Sequence, residues 1–120
     1  MSSLRLEEVP FELEGKTYML RCNMAALEAM QEEQGGDFAS LLDLPTTKCT
    51  VIFLAAMLNV YAEEQGWPER WDVNTLKRKV SFAMIQDAGV MGLVTRGVLP
   101  MVARKAQETT GSAAQAQQGN

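Results

Sequence analysis

Acid–base and nucleophilic chemistry at neutral pH most often runs through histidine, and this chain has none. Triads of the Ser-His-Asp or Cys-His type are therefore closed to it. Carboxylates remain, as the pairs Glu7-Glu8, Glu32-Glu33 and Glu63-Glu64. Each pair falls near a terminus or on the polar face of an expected helix, where water holds a carboxyl near its ordinary pKa. General acid–base work needs burial that these positions do not offer. Cys22 and Cys49 are the only thiols, too far apart for a metal-ligand or redox spacing, and are expected as two buried, reduced side chains. The glycine-rich pieces match neither the phosphate loop nor the dinucleotide fingerprint. The sequence thus predicts no catalytic residue, no metal and no cofactor, and reads as a binding protein rather than an enzyme.

Binding residues are easier to nominate. Lys77-Arg78-Lys79 has the composition of a phosphate-contacting cluster, but three successive residues point in three directions around a helix, and the net charge is −4. A solvated helix face is the better reading, and no nucleic acid is expected. Trp67 and Trp71 lie in the segment G-W-P-E-R-W, with Tyr61 shortly before it. Two tryptophans flanking a proline turn form either an exposed anchor for a partner or, more often, a lid over a core. Of the 8 methionines, Met24, Met30, Met57, Met84, Met91 and Met101 fall on expected apolar faces, and thioether side chains suit both a repacking surface and an ordinary core. Charge is unevenly divided. Met1 to Glu64 carries 11 acidic and 4 basic residues, or −7, and Gln65 to Asn120 carries 4 and 7, or +3. Such a split either reflects two solvated faces or steers a partner and aligns copies head to tail.

The elements that must position these residues follow from pattern. A chain of 120 residues with 47% apolar content supports one core. Phe11, Leu13, Tyr18 and Leu20 alternate with polar neighbours around Glu14-Gly15, which predicts a β-hairpin over about 9–22, with Pro10 marking an edge strand. Asn23 caps a helix over about 24–34 that ends at Gly35-Gly36. A short helix over 38–43 precedes Pro45, and the run 46–64 is apolar nearly all round, as a central helix would be. After Gly66-Trp67-Pro68, Val73, Leu76, Val80, Ala83 and Met84 form one stripe of a helix over 73–86. A last helix over 88–105 is weakened by Gly92, Gly97 and Pro100. The expectation is an α+β, mostly α fold: an N-terminal hairpin followed by four to five helices in one domain over 1–106, with a disordered tail over 107–120.

The opening Met1–Pro10 lacks the apolar stretch of a secretory signal, and the longest apolar run, Cys49 to Ala62, is shorter than a membrane helix needs. A cytoplasmic protein with no membrane contact is expected.

The segment from Val9 to Leu42 resembles the opening of phage tail assembly chaperones of the gene-transfer-agent and siphophage type. There a hairpin with a Gly-Lys/Arg-Thr-Tyr and Leu-Arg pattern leads into an Ala-Leu-x-x-Leu/Met-Glu helix, then a short segment and a long apolar helix. Here Gly15, Lys16, Thr17, Tyr18, Leu20 and Arg21 carry the first part, and Ala26, Leu27, Met30 and Glu32 the second. The resemblance covers the first 60 or so residues, and the W-P-E-R-W linker and Pro100 depart from it. It implies a protein of the host cytoplasm that binds the tape measure protein, and secondarily the tail tube protein, keeping the former soluble until the tube polymerises around it. The expected contact residues come from the second half: Trp67, Trp71, Met91, Val94, Val98 and Leu99. The reading from another class is a structural virion component, such as a small tail or head-tail joining protein, for which self-association through a hairpin edge is open.

Overall fold

A computed structural model describes residues 7–33, 35 and 38–100. The tail expected over 107–120 and the end of the last expected helix lie outside these. The fold is an α+β domain, an antiparallel hairpin followed by a mostly helical bundle. Strands β1 (Val9–Leu13) and β2 (Lys16–Leu20) pair antiparallel, with Phe11 opposite Tyr18 and Leu13 opposite Lys16. The two residues between them, Glu14 and Gly15, have φ of 48° and 79°. Positive φ at both central positions is what a type I′ turn needs, and its twist matches that of the strands. Phe11, Leu13, Tyr18 and Leu20 all face the core.

Helix α1 (Met24–Glu33) starts where the Asn23 side chain accepts from the Ala26 amide at 2.9 Å. It buries Ala26, Leu27 and Met30. Met24, expected on the same apolar face, is instead 76% exposed. It sits in the first turn, on the side of Glu28, and the buried stripe begins only at Ala26. After the short α2 (Phe38–Leu42), helix α3 (Thr46–Gln65) runs through the middle of the fold. It ends at Gly66, whose φ of 74° lets the cap amide bond back to the Ala62 and Glu63 carbonyls. Strand β2, α1 and the next helix, α4 (Val73–Leu76), all pack on α3. No helix among the described residues is long and apolar enough to cross a membrane.

The single helix expected over 73–86 is two. Asp72 caps α4 by accepting from Thr75 N, and the chain leaves helical geometry through a turn at 77–79. Ser81 is extended (φ −112°, ψ 160°), and its hydroxyl accepts from Met84 N at 3.2 Å to start α5 (Phe82–Asp87). A serine in this position competes for the backbone and restarts a helix rather than continuing it. The break rotates the stripe: Leu76 and Ile85 are buried, whereas Ala83 and Met84, expected inside, are exposed.

The final helix, α6, spans 90–100 of the described residues and starts two residues later than the expected 88, after Gly89 with φ 80°. Gly92 and Gly97 do not interrupt it. Gly97 is there for proximity: a Cβ built on it would stand 2.5 Å from Cys22 Sγ and 2.7 Å from Cys22 Cβ. The absence of a side chain lets α6 lie directly on the end of the hairpin.

Two glycine substitutions therefore have opposite expected outcomes. Gly97→Ala forces α6 off Cys22 and should cost about 1–3 kcal/mol, as overpacking does. At Gly92 the new methyl meets only the end of the Arg96 side chain, at 2.9 Å from Nη1. That group can swing away, so Gly92→Ala should be neutral or stabilising by up to about 1 kcal/mol through helix propensity. Urea unfolding of both variants checks the contrast, and equal losses would remove the close-approach explanation.

Candidate functional site

The residues singled out by sequence divide into a joined aromatic cluster and a helix whose apolar face is mostly inside. The cluster forms because Gly66 ends α3 and the following extended segment, 67–71, is drawn back over β2. Trp67 packs edge-on against Tyr18 (5.3 Å between centroids) and Tyr61 (5.6 Å), and the two tyrosines meet at 6.1 Å. Trp71 donates its Nε1–H to the Tyr18 hydroxyl at 3.1 Å. Edge-to-face arrangements of this kind place the positive ring edge on the negative face of its neighbour. Lys16 Nζ lies 4.8 Å above the Trp67 ring and 2.9 Å from the Glu69 carboxylate, closing the cluster from the solvent side. Trp67 and Trp71 are both half-buried. Of the two roles considered for them, this geometry is that of a lid.

The segment is held by a residue that the sequence reading did not nominate. Asn59, in α3, donates from Nδ2 to the Trp71 carbonyl at 2.9 Å, and its Oδ1 accepts from the Trp71 amide at 2.6 Å. One amide side chain thus satisfies both backbone groups of Trp71, the way a neighbouring strand would. An amide-bearing residue in the middle of an otherwise apolar helix was the available signal.

On α6, Val94 and Val98 are buried and Met91 is half-buried. The Thr50 hydroxyl points to Met91 Sδ at 3.7 Å, which joins α6 to α3. Leu99 alone among the six nominated contact residues is freely exposed, at 58%. Val94 and Val98 belong to the core as it stands. Four further exposed large apolar side chains among the described residues, Met24, Leu42, Phe82 and Met84, were not nominated. Met84 was missed because it was expected on the buried stripe of one continuous helix, and the break at Ser81 turns it outward.

Charge pairs tie the periphery. Arg96 forms a two-pronged pair with Glu7, both bonds at 2.7 Å, and Arg21 bonds Glu8 at 2.7 Å and approaches Glu64 at 3.5 Å. The Arg96 guanidinium holds the Glu7 carboxyl below its ordinary value, and Lys16 does the same to Glu69. Burial pushes the Cys22 and Cys49 thiols up, and both are free. Such thiols are poor nucleophiles. The carboxylate pairs at 7–8, 32–33 and 63–64 are exposed. Among the described residues no group of three or more acidic, cysteine or histidine side chains is placed to hold a metal.

No protein-family model matches the chain, and no curated protein or solved structure matches it either.

Removing the clamp isolates its contribution. Asn59→Ala leaves the Trp71 N–H and C=O without partners and should cost about 1–3 kcal/mol. Asn59→Asp keeps the acceptor but sets a carboxylate against the Trp71 carbonyl, so it should fare no better. Thermal melts followed by tryptophan fluorescence read both, and an unperturbed Asn59→Ala melt would show the clamp to be dispensable.

Acid should loosen the peripheral ties in a defined direction. Glu7 and Glu69 titrate lower in the folded chain than in the unfolded one, so on acidification the unfolded state takes up protons first. Their stabilisation is whole above the ordinary carboxylate value of 4.5 and is lost as pH falls through the depressed values. Melting temperature should fall as the pH is lowered below about 5, with Glu7→Gln showing a shallower slope than wild type. High salt should shrink the difference, because both pairs are exposed.

Proposed function

We propose that this chain is a phage tail assembly chaperone that binds the tape measure protein and keeps it soluble until tail tube subunits polymerise around it. What carries the reading is the order of elements in the resembling segment: the Gly15-Lys16-Thr17-Tyr18 hairpin leads into α1, then a short helix, then the long apolar α3. That is the sequence of elements such chaperones are expected to share. Further support comes from the second half, where α5 and α6 leave Met84 and Leu99 open to solvent. Apolar side chains on short helices can cover apolar faces of a partner helix reversibly, and the thioether adapts to more than one shape. Trp67, Trp71 and Met91 are half-buried and lend edges to such a surface. Val94 and Val98 support it from inside rather than touching the partner.

Co-expression with a tape measure protein, followed by a solubility assay and pull-down, tests this. The expected result is a soluble, co-purifying partner. The double variant Met84→Asp/Leu99→Asp should capture at least tenfold less while melting as the wild type does. If the tape measure protein stays insoluble and uncaptured, and this chain is found in finished particles, the chaperone role is wrong and a structural virion role takes its place.

A further inference from the structure

We infer that copies of this chain associate head to tail, with Met24 of one copy seated in an apolar groove beside Phe82 of the next. Among the described residues, Met24 and the open side of the groove beside Phe82 are left uncovered by the packing of a single copy. On α1, Met24, Glu28 and Glu32 follow one another at intervals of four, so they form one stripe along the helix, and all three are exposed. Met24, at 76%, is the most exposed large apolar side chain among the described residues. Among the described residues, neither Glu28 nor Glu32 forms an ion pair.

The complementary half lies where α3 begins and the α4–α5 break opens. Val51, Val80, Phe82 and Ile85, with Thr47 and Thr50, enclose a groove of about 170 Å³. An apolar cavity of roughly 150 Å³ is enough to hold a benzene ring, so a thioether side chain fits. Phe82 stands at 45% exposure on its wall. The only charged residue lining it is Lys77, followed in the chain by Arg78, and neither is paired among the described residues. The acidic stripe thus carries an apolar knob, and the basic groove offers an apolar socket.

Charge complementarity selects a second copy as the occupant. The knob is flanked on its own helix by Glu28 and Glu32, and the socket carries Lys77 with Arg78 next to it in the chain. Both are present in equal amount wherever the protein is. Joined head to tail, with one knob seated per pair of copies, the contact is heterologous and propagates into a ring or a short filament. One knob and a few charges bury well under about 1,000 Å², which makes the association weak and salt-sensitive. This goes beyond the chaperone reading and does not depend on it.

Sedimentation of the full chain over a concentration series, in low and in high NaCl, reads the association directly. Wild type should self-associate at low salt and weaken at least tenfold at high salt. Met24→Glu spoils the knob and Lys77→Glu spoils the socket, and each variant alone should stay monomeric while melting as the wild type does. Mixed in equal amounts, the two have one good knob and one good socket between them, so they should form a 1:1 pair and nothing larger. A wild-type chain that is monomeric at about 1 mM in low salt overturns the inference. So does association that survives both substitutions, or a mixture that stays monomeric.

Discussion

A helix that is apolar around its whole circumference has to be covered on every side, and α3 imposes that demand on everything else in this fold. Seven successive residues, Ile52 to Leu58, are buried. Since successive residues in a helix are set about 100° apart, such a run leaves no face for water. The hairpin covers one side and α1 another. The C-terminal half covers the rest through α4, Ile85 of α5 and the contact of Met91 with Thr50. The hydrophobic term is non-directional and says only that cover is needed. Where the cover sits is decided by the polar and steric details around it.

The most specific of those details is the fastening of the segment 67–71. Asn59 follows immediately after the fully buried run and pins the backbone at Trp71, while Tyr18 receives the same residue's indole N–H. The hairpin, the central helix and the linker therefore meet at one residue. Exposed ion pairs such as Lys16–Glu69 and Arg21–Glu8 surround this junction, and pairs of that kind contribute little each. Part-buried hydrogen bonds and ring contacts hold the register, and the charges trim its edges. A surface that serves a partner then has to be built from what this packing leaves over, which in the second half is chiefly the side chains of α5 and Leu99.

The hairpin, its turn and the first three helices were legible because period, cap and breaker agreed at each boundary. Leu13 and Lys16 bracket a turn that Glu14-Gly15 announces, Asn23 caps where expected, and Gly66 stops α3. The second half was harder to read because its signals compete. Val73, Leu76, Val80, Ala83 and Met84 have helical spacing, yet the hydroxyl of Ser81 offers the backbone a better local partner and splits the stripe. Gly97 looked like a weakness in a helix and is a point of contact instead. A one-residue propensity cannot show this, because the reason lies at Cys22, distant in sequence. The nominated binding residues suffered in the same way: spacing identifies an apolar face but not whether the rest of the chain has already covered it.

The reach of the Arg96–Glu7 pair, 89 residues along the chain, bears on how the fold is completed during synthesis. The hairpin is local, and α1 meets α3 across only a short stretch of chain, so these contacts close at small entropic cost as soon as their residues are available. Residues 90–100 leave the ribosome after all the other elements described and must find a site formed by the first residues described. Until they do, Cys22 has no helix against it and Thr50 lacks its thioether neighbour. The nascent protein thus passes through a stage in which its N-terminal half is assembled around an incompletely covered helix, and α6 is the closing piece that ends that exposure.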